Sequence, residues 1–286
     1  MQVQVEVLRG RVAAVIGAAS PVGRAVAREL ARQGAAIVVA VGEPPELRAV
    51  AGEIQEAGGK SLVVAADADV FAHLAVVAEA AEREFGALHV WVHVVDAGVP
   101  VAFDKLTPVE LRHIISGDLI SQAYGAVAAV PVMRRHGGGH LIHVSSADAE
   151  ATLPAHGAYA AAKEGVKALL DSLRLSFAAQ AAAGAHPVSV SNVTVTSWDP
   201  ARVAREVASI VSAPRDSLIV RDPTPWTWAV RLAVRVRALA DVARRFRLPW
   251  GSAREPVAEE PGANETLPAR EPFTDITRPD NAQLPV

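Results

Sequence analysis

The stretch Val12–Gly23 reads VAAVIGAASPVG and places an apolar strand, a glycine turn and a helix start in succession. Ser20 is a favoured helix N-cap residue, and Pro21 suits the first helical turn. A glycine turn that feeds a helix N-terminus directs backbone N–H groups and the helix dipole at one point, which suits a phosphate group. The stretch therefore predicts the first unit of an α/β sheet with a phosphate cradle, although the fold needs such a turn whether or not phosphate binds.

Short apolar runs alternate with longer helical patterns along the rest of the chain. The predicted strands are Val12–Ile16, Ala36–Val41, Ser61–Ala65, Leu88–Val95, His140–Val144, Val188–Val195 and Ser217–Val220. The predicted helices are Pro21–Gln33, Pro45–Ala57, Val70–Phe85, Pro108–His136, Ala158–Ala182, Ala201–Ser212 and Trp226–Arg247. Near-continuous Val, Ile and Ala runs indicate strands that are buried on both faces. We therefore predict a Rossmann-type doubly wound parallel sheet of about seven strands in a single domain, with ligands beyond the carboxyl ends of the strands.

Composition limits the classes of protein to which the chain can belong. It has 286 residues, of which 51% are hydrophobic, a formal net charge of −3 and no cysteine. This charge argues against a general nucleic-acid binder, and the lack of cysteine excludes disulfides, thiolate catalysis and cysteine-ligated metals. The first residues lack the basic-then-apolar layout of a signal peptide, and no segment reads as a membrane span. We expect a cytoplasmic protein.

The C-terminal part of the chain differs from the rest. Residues 249–286 hold seven prolines, more acidic than basic residues and no apolar periodicity. We predict a Rossmann-type domain over residues 1–248 and a disordered or surface-wrapping tail over residues 249–286. The arginine-rich helix Trp226–Arg247 precedes this tail. It is suited either to a membrane surface or, as we prefer, to packing on the domain or a partner subunit with its arginines solvated.

A second pattern points to chemistry. Tyr159 and Lys163 lie four residues apart in a predicted helix, and Ser146 lies thirteen residues before Tyr159, at the end of an apolar strand. Residues four apart share one helix face, so the ammonium favours the phenolate form of the tyrosine. Such a tyrosine can exchange a proton with a substrate oxygen that the serine hydrogen-bonds. The alternative is an ordinary amphipathic helix with a tyrosine at its edge.

With these motifs the sequence resembles the short-chain dehydrogenase/reductase family over residues 8 to about 245. Gly17 and Gly23 match the first and last glycines of the family's phosphate loop. Ser146, Tyr159 and Lys163 match its catalytic serine, tyrosine and lysine. The resemblance implies NAD or NADP as the cofactor and hydride transfer at a carbonyl or alcohol carbon of a small-molecule substrate. It also suggests a homodimer or homotetramer. From the net charge we expect no nucleic-acid partner, and we expect no metal, because paired histidines on buried strands are more often hydrogen-bonded core residues.

The resemblance implies a role for each matching residue. Tyr159 would be the acid/base, Lys163 would stabilise its phenolate and hold the ribose, and Ser146 would orient the substrate oxygen. Asp118 stands where the family has a fourth catalytic residue, an asparagine, and would take part in a proton relay. The implied cofactor-binding residues are Gly17, Ser20, Val22, Gly23, Asp67, Tyr159 and Lys163.

Departures from the family's pattern begin in the phosphate loop. Ile16 replaces the usual threonine, and Pro21 replaces the middle glycine, which removes one N–H and the space that a glycine leaves beside a pyrophosphate. At the end of the second strand, Val41-Gly42 offers neither an acidic residue for the ribose 2′-hydroxyl of NAD nor a basic residue for the 2′-phosphate of NADP. The choice between NAD and NADP is therefore unreadable from the sequence.

Further departures lie after the later strands. The family's N-N-A-G reads His93–Asp96 without a gap, or ends in Ala97-Gly98 if an insertion is allowed. The proline-glycine pair that follows the sixth strand in the family is Val195-Thr196 in this chain. The chain then passes from Trp198 almost directly into the next helix, which leaves a short substrate lid.

The matches to the family and the departures from it are compatible with two functions of different class. The first is an NAD(P)-dependent oxidoreductase, which the intact Ser146, Tyr159 and Lys163 favour. The second is a protein of the same fold without redox function, either a binding protein or an enzyme that uses Ser146 and Tyr159 without a dinucleotide. Two smaller alternatives are a metal held by His93, His143 and Asp118 and a hydrolase that uses Ser146 with His143. Against the hydrolase, the G-x-S-x-G elbow is missing, and residues three apart on a strand face opposite sides.

Overall fold

Seven parallel strands form one sheet in the computed structural model, which describes residues 7–42, 44–94, 101, 103–146, 157–195 and 199–220, and their side chains except at 41, 44–48 and 146. The strands are β1 (Val12–Ile16), β2 (Ala36–Val41), β3 (Ser61–Ala65), β4 (Val90–Val94), β5 (Gly139–Ser146), β6 (Val188–Val195) and β7 (Ser217–Val220). The helices are α1 (Pro21–Arg32), α2 (Pro44–Glu56), α3 (Phe71–Phe85), α4 (Pro108–Ile115), α5 (Ser121–Arg135), α6 (Gly157–Ala182) and α7 (Pro200–Ser212). The predicted Rossmann-type sheet is confirmed.

The order of the strands locates the candidate ligand site. Across the sheet it runs β3-β2-β1-β4-β5-β6-β7, and every neighbouring pair is parallel. The winding therefore reverses between β1 and β4. In open α/β sheets, ligands bind outside the carboxyl ends of the strands at this point of reversal.

The sheet is buried on both faces, as its apolar runs predict. Val15 points to one face, where it packs with Leu30 of α1 and Val203 of α7. Trp91 points to the other face, where it packs with Leu74 of α3 and the apolar residues of α5 and α6. Each fully buried side chain of this kind contributes about 1.5–3 kcal/mol to folding. These two layers hold the carboxyl ends of β1, β4 and β5 in fixed register.

The predicted helix over Pro108–His136 is helical from Pro108 to Arg135, but it is not a single regular α-helix. A π-helical turn, Ser116–Ile120, joins α4 to α5. The turn carries Asp118, which has no exposed surface. A single π-turn changes the direction in which the helix side chains point and often marks a functional site. Here the π-turn sets the direction of the buried Asp118 side chain, which would point elsewhere in a regular α-helix.

Several predictions lie outside the described residues. They concern Asp96, Thr196, Trp198, the helix Trp226–Arg247 and the tail at 249–286, and with the tail the domain boundary at residue 248. The described chain resumes at Asp199, whose carboxylate accepts hydrogen bonds from two N–H groups in the first turn of α7. Across the helices that are described, none combines the length and apolar character needed to cross a bilayer.

Candidate active site

The start of α6 carries the two residues of the Y-x-x-x-K pattern. Tyr159 is 5% exposed and Lys163 is 7% exposed. The Lys163 Nζ atom lies over the Tyr159 ring, 5.1 Å from its centroid. An ammonium at this distance is attracted to the ring face and remains close to the phenol. The structure thus brings together the two residues that the sequence pairs.

A third residue joins them from the π-helical turn. The Lys163 ammonium donates a 2.8 Å hydrogen bond to Oδ1 of Asp118. The side chains of the lysine and the aspartate are 5% and 0% exposed, so the pair is almost fully desolvated. In such surroundings each charge depends on the other for its stability. Asp118, Lys163 and Tyr159 therefore form one buried polar unit.

The turn that holds Asp118 is fixed locally. The hydroxyl of Ser121, itself fully buried, donates a hydrogen bond to the carbonyl of Gly117. Gly117 is buried as well. The bond between these two small residues spans Asp118 and stabilises the π-helical turn.

Apolar residues surround the tyrosine. Ile114, Ala158 and Ala162 are buried with Tyr159 in a small separate cluster, and Leu106 and Leu119 pack on its edge. Because apolar walls strengthen electrostatic interactions beside them, the cluster increases the influence of the ammonium on the phenol. The sequence reasoning did not identify Leu106 or Ile114. In the sequence these two residues are distinguished only by being apolar. Apolar residues at such positions are common in protein cores and do not by themselves indicate a site.

Ser146 is the last residue of β5 and pairs in register with Val195 of β6. This places its backbone at the carboxyl end of the sheet. The neighbouring residues 147–156 and the side chain of Ser146 lie outside the described part. The role of its hydroxyl stays a prediction.

A row of three polar residues, two of them buried histidines, crosses three neighbouring strands of the sheet. His93, His143 and Asn192 are register partners on β4, β5 and β6. Burial and the nearby Lys163 charge lower the pKa of His93 to about 3. Burial, Lys163 and His93 together hold the pKa of His143 well below its usual range. Both imidazoles are therefore neutral at physiological pH.

These histidines are poor metal ligands in this setting. Among the residues that the structure describes, no three His, Cys, Asp or Glu side chains are grouped so that they could hold a metal ion. The ammonium of Lys163 also acts on both imidazoles and would repel a cation placed there. The α5 helix packs closely on this row, since a Cβ atom on Gly125 would lie 2.9 Å from Nδ1 of His93.

The glycine turn after β1 is shaped by the protein's own backbone. Gly17 has a φ of 76°, and a Cβ atom there would lie 1.8 Å from the carbonyl oxygen of Val94. A Cβ atom on Gly23 would lie 2.3 Å from the carbonyl oxygen of Gly17. Both glycines are thus required for β1, β4 and α1 to meet, independently of any ligand.

Hydrogen bonds within the cap occupy some of the donors of this turn. The Ser20 hydroxyl donates to the Gly17 carbonyl at 2.9 Å and accepts from the Gly23 N–H at 3.0 Å. The Arg24 N–H donates to the Ser20 carbonyl at 2.9 Å. Pro21 has no N–H. The N–H of Val22 is the donor of this first turn that remains directed past the helix end.

Asp67 lies beyond β3, where the resemblance implies an adenine contact. Its side chain is exposed, and its Oδ1 accepts a 2.9 Å hydrogen bond from the Asp69 N–H. The Asp67 N–H donates to Nδ1 of His73 at 3.1 Å. These bonds hold a turn before α3 and leave the second carboxylate oxygen facing outward.

The residues present fit a dinucleotide, with fewer phosphate donors than the family's loop offers. The N-terminus of α1 follows β1 at the carboxyl end of the sheet, next to the point of reversal where open α/β sheets bind ligands. Asp67 follows β3 at the same end of the sheet. Such a site can hold a nicotinamide next to a proton donor, although with weakened phosphate contacts.

Comparison with known proteins gives a consistent result. A family model described as short chain dehydrogenase matches residues 11–207. The cis-4-hydroxycyclohexanecarboxylate dehydrogenase of Sinomonas cyclohexanicum is 35% identical over 176 residues, which cover 61% of this chain and 70% of that protein. The D-beta-hydroxybutyrate dehydrogenase of Rhizobium meliloti (strain 1021) is 32% identical over 198 residues, which cover 68% of this chain and 71% of that protein.

Solved structures show the same likeness. A metagenomic short-chain oxidoreductase in complex with NADP superposes with a TM-score of 0.68 and 28% identity. The superposition covers 76% of this chain and all of that one. The chain spans about two thirds of the length of the curated relatives that it matches.

Proposed function

This chain belongs to the short-chain dehydrogenase family, and on that premise we propose that it is an NAD(P)-dependent oxidoreductase acting on a carbonyl/alcohol pair. The observation that carries the proposal is the buried Asp118–Lys163 pair, which holds an ammonium over the ring of Tyr159. An ammonium held in that place has no evident structural use that an apolar side chain would not serve better. It supports acid–base work by the neighbouring phenol.

In this mechanism Tyr159 donates a proton to the substrate oxygen during reduction and removes it during oxidation. Lys163 stabilises the phenolate, and Asp118 fixes the position of the ammonium through their 2.8 Å hydrogen bond. Ser146 hydrogen-bonds the substrate oxygen. A bound nicotinamide supplies or accepts the hydride.

The cofactor would be held by residues on both sides of the crevice. Gly17, Val22 and Gly23 would face the pyrophosphate, and Ser20 would keep the helix start in place. Asp67 would contact the adenine side, while Tyr159 and Lys163 would face the nicotinamide ribose. The second strand offers no charged residue at its end, so the proposal includes both NAD and NADP.

The second candidate is a protein of this fold without redox function. A specific observation favours it: in the first turn of α1, Pro21 has no N–H, and the Gly23 N–H is used by Ser20. Fewer donors then remain for a pyrophosphate than the family's loop provides. Each lost hydrogen bond weakens binding by about 1–2 kcal/mol, which lowers dinucleotide affinity without abolishing it. We therefore retain the oxidoreductase as the main proposal.

Calorimetric titration with NADH and with NADPH tests the proposal directly. Binding at micromolar strength would support a working cofactor site and would show which dinucleotide is preferred. Turnover should then be measured with small hydroxy acids, because two relatives are named as dehydrogenases of cis-4-hydroxycyclohexanecarboxylate and D-beta-hydroxybutyrate. A folded protein that binds neither dinucleotide would favour the second candidate.

We also infer that the protein forms a homo-oligomer through α5 and α6. Apolar side chains on these helices are exposed in the single chain, with Val127 at 60% and Leu175 at 76%. Exposed apolar surface on long helices is commonly covered by a second subunit. Light scattering coupled to size-exclusion chromatography distinguishes a dimer or tetramer from a monomer. Val127→Glu with Leu175→Glu should shift an oligomer toward the monomer.

A further inference from the structure

The buried Asp118–Lys163 pair lies close to a second acid–base group that no sequence motif indicates. Asp69 precedes α3, and its carboxylate is 29% exposed. Its Oδ2 lies 4.0 Å from Nδ1 of His113 on α4, whose side chain is 67% exposed. Asp69 and His113 thus form a pair that reaches solvent at the carboxyl end of the sheet.

Two contacts place residues on both sides of Asp118 against the start of α3. His113 precedes Asp118 by five residues and contacts Asp69. Tyr124 follows Asp118 by six residues, and its ring meets that of Phe71 edge-to-face at 5.7 Å. Residues on both sides of Asp118 therefore contact the same short stretch of chain at the start of α3. The π-helical turn between them must pass close to that stretch.

Electrostatics agree with this placement. The pKa of Asp69 is raised, chiefly by burial and then by the neighbouring Asp67, while His113 acts in the opposite direction. Asp118 contributes a further increase, so the two carboxylates interact through the protein. Among the described residues, Asp67, His113 and Asp118 are the charged side chains that act on Asp69. A carboxyl with a raised pKa exchanges protons more readily near neutral pH than an ordinary one.

We propose that Asp69 and His113 form the solvent end of a proton route that continues through Asp118 and Lys163 to Tyr159. The inference rests on the proposed oxidoreductase function. It depends on the carboxylate at position 118, because a carboxylate can carry a proton on its side chain, whereas the amide of an asparagine cannot.

The proton balance defines what the route must do. Oxidation of an alcohol to a carbonyl releases one hydride, which goes to the nicotinamide, and one proton, which Tyr159 receives. To restore the phenolate, the proton passes through a water molecule to Lys163, as that group gives one of its own to Asp118 along their 2.8 Å hydrogen bond. Asp118 then transfers it, through water, to Asp69 or His113 and so to bulk solvent. Reduction runs every transfer in the opposite direction, and no charge accumulates.

A simpler role for Asp69 must be separated from this one. A carboxylate before a helix start is favoured by the helix dipole, so Asp69 also stabilises α3. Asp69→Asn retains a polar side chain at that position but cannot carry a proton. Glu79→Gln is the matched control, because it removes an exposed acid from the same helix two turns further on.

The first test needs no turnover. The carboxyl carbon of Asp69 is titrated by NMR in protein labelled with ¹³C-aspartate. Asp118→Asn should lower the pKa of Asp69, because a neighbouring negative charge is removed, and His113→Gln should raise it. Glu79→Gln should leave it unchanged. If neither His113→Gln nor Asp118→Asn moves the titration, the groups are not coupled and the proposed route is wrong.

The second test uses the hydroxy acids named above as substrates. We expect Asp69→Asn to lower kcat by about tenfold, less than the roughly 10²–10⁴-fold effect of a directly acting acid–base group. The Kd for the dinucleotide should stay unchanged, the solvent isotope effect on kcat should increase, and added imidazole buffer should restore the rate. Asp69→Asn should have no further effect on kcat in an Asp118→Asn background, since both residues serve one route.

The outcomes distinguish the route from the activity on which it rests. An active enzyme whose kcat is the same in Asp69→Asn and Glu79→Gln would overturn the route and leave the oxidoreductase proposal intact. A wild-type protein without any hydride transfer would overturn the oxidoreductase proposal, and the NMR titration would still decide whether Asp69, His113 and Asp118 are coupled. A loss of kcat that imidazole does not restore, with weaker dinucleotide binding, would assign Asp69 a structural role.

Discussion

Lys163 Nζ and Asp118 Oδ1 lie 2.8 Å apart in surroundings that exclude almost all solvent. One residue comes from α6 and the other from the π-helical turn before α5, so the pair joins two separate parts of the fold. Removal of two charges from water is costly, and their attraction offsets that cost only while both are present. The stability of this region and the charge next to Tyr159 therefore depend on the same contact.

Loss of one member of this pair should be more damaging than loss of both. Lys163→Met leaves a buried carboxylate and Asp118→Leu leaves a buried ammonium, so each should reduce the free energy of unfolding by about 3–5 kcal/mol. The double variant should lose clearly less than the sum of the two. Urea unfolding followed by circular dichroism measures all three. Additive losses would contradict a coupled pair.

Tyr159→Phe should abolish turnover while leaving dinucleotide affinity nearly unchanged, because it removes the proton-donating oxygen and keeps the ring in its apolar cluster. We expect kcat to fall by at least about 10²-fold, as for loss of a directly acting acid–base group. Steady-state kinetics and calorimetry on the same preparation separate the two quantities. Tyr124→Phe is the control, since it removes the other tyrosine hydroxyl. Unchanged turnover in Tyr159→Phe would remove its assigned role.

The sheet and most helix limits could be predicted because buried parallel strands have a strong local signal. Val12–Ile16 is a continuous apolar run, Val188–Val195 has a valine at nearly every second position, and both strands begin and end where predicted. The π-helical turn at Ser116–Ile120 could not be predicted. Its residues suit an α-helix locally, and the extra residue is stabilised by a partner forty-five positions later, Lys163.

The candidate site was predicted only in part, for a similar reason. The Tyr159–Lys163 spacing is local, so the sequence shows it. The place of Asp118 beside them depended on family resemblance rather than on spacing. Asp69 and His113 belong to no motif, and they meet only because α3 and α4 converge in the folded chain. Contacts between residues far apart in sequence leave no local pattern.

Substitution at Gly17 should be severely destabilising for reasons unrelated to a ligand. In Gly17→Ala, the new Cβ atom would lie 1.8 Å from the Val94 carbonyl oxygen, and the φ of 76° is itself unfavourable. Gly58→Ala is the matched control, because Gly58 has a φ of 81° with open space around it. The control should cost about 1–2 kcal/mol from backbone conformation alone, and Gly17→Ala considerably more. Thermal unfolding of both variants without ligand tests this, and equal losses would disprove the close contact.

The buried histidines should make the protein sensitive to acid. Burial lowers the pKa of His93 to about 3 and that of His140 to about 4, and His143 is lowered as well. In the unfolded chain these groups bind protons below about pH 6.5, whereas the folded protein resists protonation. Stability should thus be complete above pH 6.5 and decline as pH falls toward 4, by about 1.4 kcal/mol per pH unit for each histidine.

A single substitution identifies the source of that slope. His93→Gln should reduce the loss between pH 6.5 and 4 by the contribution of one titrating group, and the exposed His186→Gln provides the comparison. Urea midpoints measured across this range give the slope directly. If His93→Gln and the wild-type protein have the same slope, His93 is not held neutral in the folded state.

Pro21 is the residue whose replacement should most improve cofactor binding. It occupies the first turn of α1, where it provides no N–H, and its ring fills space that a glycine would leave open beside a phosphate. Pro21→Gly should tighten NADH or NADPH binding by about tenfold, since one recovered hydrogen bond to a charged group contributes about 1.5–3 kcal/mol before the added flexibility is subtracted. Pro21→Ala separates the two causes, because it restores the N–H but not the space.

Calorimetry on the wild-type protein, Pro21→Gly and Pro21→Ala decides between the two causes. Equal gains in both variants would assign the effect to the N–H, and a gain in Pro21→Gly alone would assign it to the ring. No gain in either would mean that the phosphate loop is not what limits binding, and the weak point would then lie beyond β4 or β6, where the sequence also departs from the family's pattern.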